Sequence, residues 1–143
     1  MPAPVIPDEG KTCFMGILLN QIKSGGSSGK VFLYTNNFTP TTSTVLADLT
    51  PAAAGGMTEQ ATPAATDSGV FPAGVDNWIF SPITFTATGA GLPETYYGYG
   101  VKAVDPITAA TLLLWAQKFD VPQLIIAAGQ TVPFVLSLAG TQG

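Results

Sequence analysis

Residues Thr95–Phe119, TYYGYGVKAVDPITAATLLLWAQKF, decide the fold. Tyr97, Tyr99, Val101 and Ala103 alternate with smaller or polar residues, and Leu113, Trp115 and Phe119 recur at even spacing, which is the period of extended chain. Asp105-Pro106 lies between the two runs. Proline fixes its own φ and an Asp before it favours the start of a turn, so the chain is predicted to reverse within Asp105–Ala109. The stretch reads as an antiparallel hairpin with one aromatic and aliphatic face.

Upstream of the hairpin, Ile83, Phe85 and Ala87 alternate with Thr84 and Thr86, giving a strand with a threonine-coated outer face, and Trp78-Ile79-Phe80 reads as extended chain before it. Gly89-Ala-Gly-Leu-Pro93 is the turn that leads into the hairpin. Lys30–Thr35 is a further strand, with Val31, Leu33 and Thr35 on one side and Phe32 and Tyr34 on the other, closed by Asn36-Asn37-Phe38-Thr39-Pro40. Downstream, Val121-Pro122 interrupts the ladder. Leu124–Ala127 and Thr131–Leu138 follow as strands around Gly129-Gln130, and Pro133 marks the last as an edge strand or a bulged one.

The two weakly patterned regions lie outside this frame. Residues 1–8 hold three prolines and read as an extended N-terminal arm of the kind that reaches onto a neighbour. Phe14, Ile17, Leu18 and Ile22 fall at helical spacing, so an amphipathic helix is predicted over about 9–23, ended by the run SGGSSG at Ser24–Gly29. Residues 41–76, rich in Thr, Ala, Pro and Gly, read as a long loop region with one or two short strands near Ser43–Leu49; a loop this long tends to be functional and is expected to lie against a partner. The fold class is therefore mainly β: an antiparallel β-sandwich or jelly roll of six to eight strands with one N-terminal amphipathic helix, in a single domain over 9–143.

Composition narrows what such a domain does. Only 10% of the 143 residues are charged while 46% are hydrophobic, and mean hydropathy is +0.35. A soluble domain carries roughly 25% charged residues. Neutral polar residues and permanent partners must cover what charge does not, and interface cores are themselves depleted of charge, which points to an assembled protein with copies of itself. Net charge is −4, with five scattered lysines and no arginine, which argues against nucleic acid. No apolar run reaches the roughly 20 residues of a membrane-spanning helix, and no secretory signal is evident, so a chain made and kept in a cytoplasm is expected. Cys13 is the only cysteine, set among Phe14, Met15 and Ile17, and reads as a buried inert thiol.

Motifs that carry chemistry are few. Gly10-Lys11-Thr12 resembles the end of a phosphate loop, but Val5 stands where the first glycine belongs. With no histidine and no arginine, catalysis would rest on paired carboxylates drawn from Asp76, Glu94, Asp105 and Asp120; each sits among turn residues and reads as a solvated turn carboxylate. Asn37-Phe38-Thr39 fits a glycosylation sequon that has no meaning without secretion. Tyr97, Tyr99 and Trp115 read as core, whereas Trp78 and Tyr96 remain open as ligand or partner contacts, joined by Pro2 and Pro4 of the arm. No catalytic residue, cofactor or metal ligand is predicted, and the protein is not expected to be an enzyme.

Four pieces, KVFLYTNNFTP (Lys30–Pro40), ITFTATG (Ile83–Gly89), YYGYGV (Tyr96–Val101) and LLLWAQKF (Leu112–Phe119), resemble in that order a group of small virion structural proteins of tailed bacteriophages. The likeness departs from that group at Met57, which follows Gly55-Gly56 where an aromatic residue is expected. What the resemblance implies is a particle component on the virion capsid surface: a capsid cement or decoration protein, commonly a homotrimer, that binds the major capsid protein. A tail, neck or fibre component is the first alternative, and a carbohydrate-binding module using Trp78 and Tyr96 the second.

Overall fold

The computed structural model describes residues 2, 4–5, 29–63, 65–67, 75–105 and 108–141. The helix expected over 9–23, Cys13 and Gly10-Lys11-Thr12 lie outside these residues. The described chain is mainly β. Its strands are β1 (Lys30–Tyr34), β2 (Glu59–Ala61), β3 (Ala65–Asp67), β4 (Val75–Phe80), β5 (Ile83–Thr86), β6 (Glu94–Val104), β7 (Thr111–Ile125), β8 (Thr131–Phe134) and β9 (Ser137–Thr141). All strand pairs among them are antiparallel, in sheets ordered β2-β1-β6-β7, β3-β4-β9 and β5-β8.

Nine strands among the described residues stand where six to eight are expected. β2 and β3, each three residues long, arise inside the region read mainly as loop. The run expected as one strand over Thr131–Leu138 is divided between β8 and β9 in different sheets, and Leu124–Ala127, expected as a strand of its own, is instead the end of β7 as far as Ile125. The strand expected near Ser43–Leu49 is absent. A 3-10 turn at Leu46–Asp48 occupies that place, where the Asp48 Oδ2 accepts the Val45 N–H at 2.9 Å and so competes with any extended pairing.

The β6–β7 hairpin turns where the Asp-Pro signal puts it. Ala109 N–H donates to the Asp105 carbonyl at 2.9 Å, Asp105 N–H donates to Ala110 at 2.8 Å, and Thr108 Oγ1 donates to the Asp105 carboxylate at 2.8 Å. Two irregularities shape the ladder. Val101 pairs with Trp115 but Lys102 pairs with Leu113, so Leu114 is an extra residue on β7. Side chains alternate strictly along a strand, and one inserted residue reverses their sides. The single apolar face expected from even spacing is therefore two: Trp115 and Phe119 face Val31, Leu33, Tyr99 and Val101, while Leu113 faces Phe32, Tyr34, Leu49 and Ala116. The second irregularity lies between Tyr96–Gln123 and Gly98–Lys118, where Tyr97 alone opposes the segment holding Val121-Pro122. Pro122 has no N–H to give, and regular pairing resumes beyond it.

On the second face β6 is a groove. Phe32 lies directly across from Gly100 and Tyr34 across from Gly98. A Cβ on Gly98 would stand 2.2 Å from the Gln117 carbonyl oxygen and 2.4 Å from the Tyr34 hydroxyl, and one on Gly100 would stand 2.5 Å from the Phe32 ring. The rings fill the space the glycines leave, an arrangement known to rescue glycine in strands. The TNNFTP turn then folds residues 35–50 over this face. Asn36 Nδ2 donates to the Asp48 carbonyl and Asn36 Oδ1 accepts the Thr50 N–H, both at 2.8 Å, while Lys118 Nζ donates to Asn37 Oδ1 at 2.7 Å.

The first face carries the main core. Tyr99 stacks on Phe134 at 4.7 Å between ring centroids, Phe119 and Phe85 lie 5.7 and 6.0 Å from Phe134, and Phe80 lies 5.8 Å from Trp115. Ile83, Phe85 and Ala87 point inward and Thr84 and Thr86 outward, as their alternation predicts. Met57 is fully buried in the same core, filling the place where an aromatic residue is expected.

Gly98→Ala is expected to cost about 3 kcal/mol or more, because its nearest obstacle is backbone, and Gly100→Ala less, within roughly 1–3 kcal/mol, because the Phe32 ring can tilt. Chemical denaturation of both variants checks the order. Ala109 adopts φ 59°, a left-handed conformation that an L side chain enters at a cost of roughly 1–2 kcal/mol. Ala109→Gly is therefore expected to stabilise by about 0.5–1 kcal/mol after the added flexibility of the unfolded chain is subtracted, read as a higher denaturant midpoint at unchanged slope.

Candidate functional site

Ile125 and Ile126 are adjacent in the chain and must face opposite ways. Ile125 is buried, and Ile126 is 63% exposed. Earlier on the same segment Val121 is 67% exposed and Leu124 60%, and Val135, just past β8, is 45% exposed. The exposure is fixed by bonding: Gln130 Oε1 accepts the N–H groups of Ile126 and Ala127 at 2.7 and 2.9 Å, and Ala87 N–H donates to the Gln130 carbonyl at 3.0 Å. Beside these residues an open depression of about 380 Å³ has Phe119, Val132 and Phe134 in its lining, with Asp120 and Gln123 supplying its polar side chains. Gln123 Nε2 donates to the Val121 carbonyl at 2.8 Å, which holds the irregular segment in shape.

The surface offers apolar contact. Fully burying a Val, Leu or Ile side chain contributes about 1.5–3 kcal/mol, so each of Val121, Leu124 and Ile126 stands to gain on the order of 1–2 kcal/mol from a partner. These four residues were not foreseen from the sequence, where apolar residues in strands read as core. The signal available was Leu-Ile-Ile at 124–126, since only alternate positions of an extended run can point inward.

The arm residues Pro2 and Pro4 sit beside the outer edge of β7. Val5 N–H donates to the Ala116 carbonyl and Ala116 N–H donates to the Val5 carbonyl, each at 2.9 Å, and Gln117 Nε2 donates to the Pro2 carbonyl. The arm thus lies on its own sheet in this chain. Gln117 is buried, and its Oε1 accepts the Tyr99 hydroxyl at 2.7 Å across the ladder.

The aromatic pair left open by the sequence is not brought together as a platform. Tyr96 is fully buried, with its hydroxyl donating to Glu94 Oε2 at 2.9 Å, so its ring belongs to the core and is closed to an external ligand. Trp78 is placed by its backbone in β4, opposite Asp67 on one side and Leu138 on the other. The four carboxylates are likewise dispersed. Glu94 accepts the N–H groups of Ala53 and Ala54 at 3.1 and 3.0 Å and fastens the 51–57 loop. Asp105 is buried in the hairpin turn, about 35 Å along β6 from Glu94. Asp120 is exposed at the depression, and Asp76 is placed by its backbone opposite Gly140. Among the described residues no group of three potential metal ligands occurs.

Comparison with known proteins finds no match: no family model, no curated protein and no solved structure is similar to the chain.

Burial leaves three tyrosines hard to ionise. It pushes Tyr99 up to about 12, opposed by the neighbouring Trp115 indole, and raises Tyr34 and Tyr96 further, the latter helped by its bond to Glu94 and the carboxylate charge. The folded state holds these phenols neutral. Their contribution is therefore whole below pH about 10, the unfolded value, and is lost as pH climbs through the folded ones. Tyrosinate absorbance of the three is expected to rise together with loss of near-ultraviolet circular dichroism above pH 10; ionisation of all three near pH 10 with the fold intact would contradict their burial.

Proposed function

We propose that this protein is a structural component of a phage virion, a capsid cement or decoration protein on the capsid surface that stabilises contacts between major capsid protein subunits. The observation that carries the reading is the set of exposed apolar side chains Val121, Leu124, Ile126 and Val135 on a chain with 10% charged residues. Exposed apolar patches of this kind mark surfaces that partners cover. The likeness of the TNNFTP, YYGYGV and LLLWAQKF segments to small virion proteins supplies the partner class, the major capsid protein together with copies of this chain as a homotrimer. In this reading the sheets pack as a β-sandwich. Support comes from the core shared by Val31, Leu33, Tyr99 and Trp115 of the four-stranded sheet with Phe85 and Val132 of the two-stranded one.

Tyr96 in the core leaves a sugar-binding platform without one of its two rings, and no observation favours that alternative. The test is electron microscopy of intact particles with a labelled copy of the chain. Density at seams between capsid subunits, in hundreds of copies per particle, is expected, and density confined to the tail would overturn the head assignment. The double variant Leu124→Glu, Ile126→Glu is expected to abolish shell binding with stability changed by no more than about 0.5 kcal/mol, the usual range for exposed positions. Undiminished binding in a co-sedimentation assay would remove the patch from the interface.

A further inference from the structure

We propose that the N-terminal arm is exchanged between copies, with residues 2–5 of one chain seating on the β7 edge of a second. The inference rests on the self-associating half of the reading above and not on attachment to a shell.

The receiving site is built into β7. Its outer edge presents the Ala116 N–H and carbonyl, and both are taken by Val5. Beside it the Gln117 side chain is buried with its oxygen already engaged by Tyr99, so its amide N–H needs an acceptor from outside the sheet, and the Pro2 carbonyl is that acceptor. A buried donor left without a partner costs roughly 1–3 kcal/mol. An occupant of this edge is therefore favoured whichever chain supplies it.

The arm is suited to leave its own chain. Prolines at 2, 4 and 7 keep it extended in advance, which lowers the cost of ordering it on any copy. Among the described residues its hold on the edge is one pair of backbone hydrogen bonds and one side-chain bond. Each contributes about 0.5–1.5 kcal/mol net, a modest hold for an arm that can also seat on another copy. The tether is also long. Residues 6–28, 23 in all, join Val5 to Gly29, and a chain of that length spans about 80 Å at most. The span from β1 across β6 and β7 to the arm is three strand spacings, about 15 Å. The same contacts are available in trans, and exchange of identical elements around a closed symmetric ring leaves none unmade. The arm is antiparallel to β7 from Val5–Ala116, so its free N-terminal end runs toward Phe119 and the depression beside Val121, while the body of the donor chain is joined from the Trp115 side.

The experiment mixes two full-length chains, V5C and A116C, each in a C13S background so that each carries one cysteine. Val5 and Ala116 are directly opposed, within disulfide reach for an antiparallel pair. Mild oxidation at high micromolar concentration is expected to give a V5C–A116C heterodimer in excess of either homodimer on a non-reducing gel. Absence of the heterodimer overturns the exchange, whether the double variant V5C/A116C closes within single chains or forms no bond at all. Removal of residues 1–5 is expected to shift the mass by light scattering from the oligomer to a single chain, and an oligomer that survives the deletion also overturns it. Failure of the chain to bind shells while the heterodimer forms would sink the capsid reading and leave the exchange standing.

Discussion

Two missing Cβ atoms set the form of the central sheet. Gly98 and Gly100 let the Tyr34 and Phe32 rings lie against β6, and everything on the second face follows from that approach. The rings bring β1 into register with β6, and Leu113, Ala116 and Leu49 close around them. The Tyr34 hydroxyl reaches the Phe38 carbonyl at 3.3 Å, so the same ring that fills the groove also holds the turn that covers it. A side chain on either glycine would press on β1 or on the β7 backbone, and the sheet would have to part from one neighbour to accommodate it.

With that face sealed by residues 35–50, the opposite face is free to take the aromatic cluster of Tyr99, Phe119, Phe85 and Phe134. The two irregularities of the hairpin divide the labour. Leu114, the extra residue, lets β7 present apolar side chains to both layers. The longer interruption at Val121-Pro122 turns Val121 outward and opens the depression next to it. One strand therefore serves the core along its first half and the surface along its second.

Much of this was legible from local pattern. The period of two in Ile83–Ala87 fixes which residues face inward, that in Val31–Tyr34 fixes which residues share a face though both faces are covered, and Asp105-Pro106 marks the reversal, because these are properties of a few neighbouring residues. The roles of Asn36 and Asn37 as fasteners agree with a closing turn at that point. What local pattern does not carry is pairing. The bulge at Leu114 exists only relative to Val101 and Lys102, and without it the spacing of Leu113 and Trp115 reads as one face. Tyr96 and Tyr97 are adjacent and chemically alike, and the irregular ladder decides that Tyr96 is fully enclosed while Tyr97 packs at the margin of the second cluster. The seat of the arm is beyond local reading for the same reason: nothing in Pro2–Val5 names Ala116.

A protein this poor in lysine has few charges with which to guard its strand edges against edge-to-edge pairing. Here the four-stranded sheet ends on one side in β2, three residues long, and on the other in β7 under the arm, while β8 carries Pro133, which has no N–H to offer a newcomer. Brevity, a cover and an imino acid stand in for a repelling fringe on these edges, and each leaves a foreign strand fewer free backbone groups to template on.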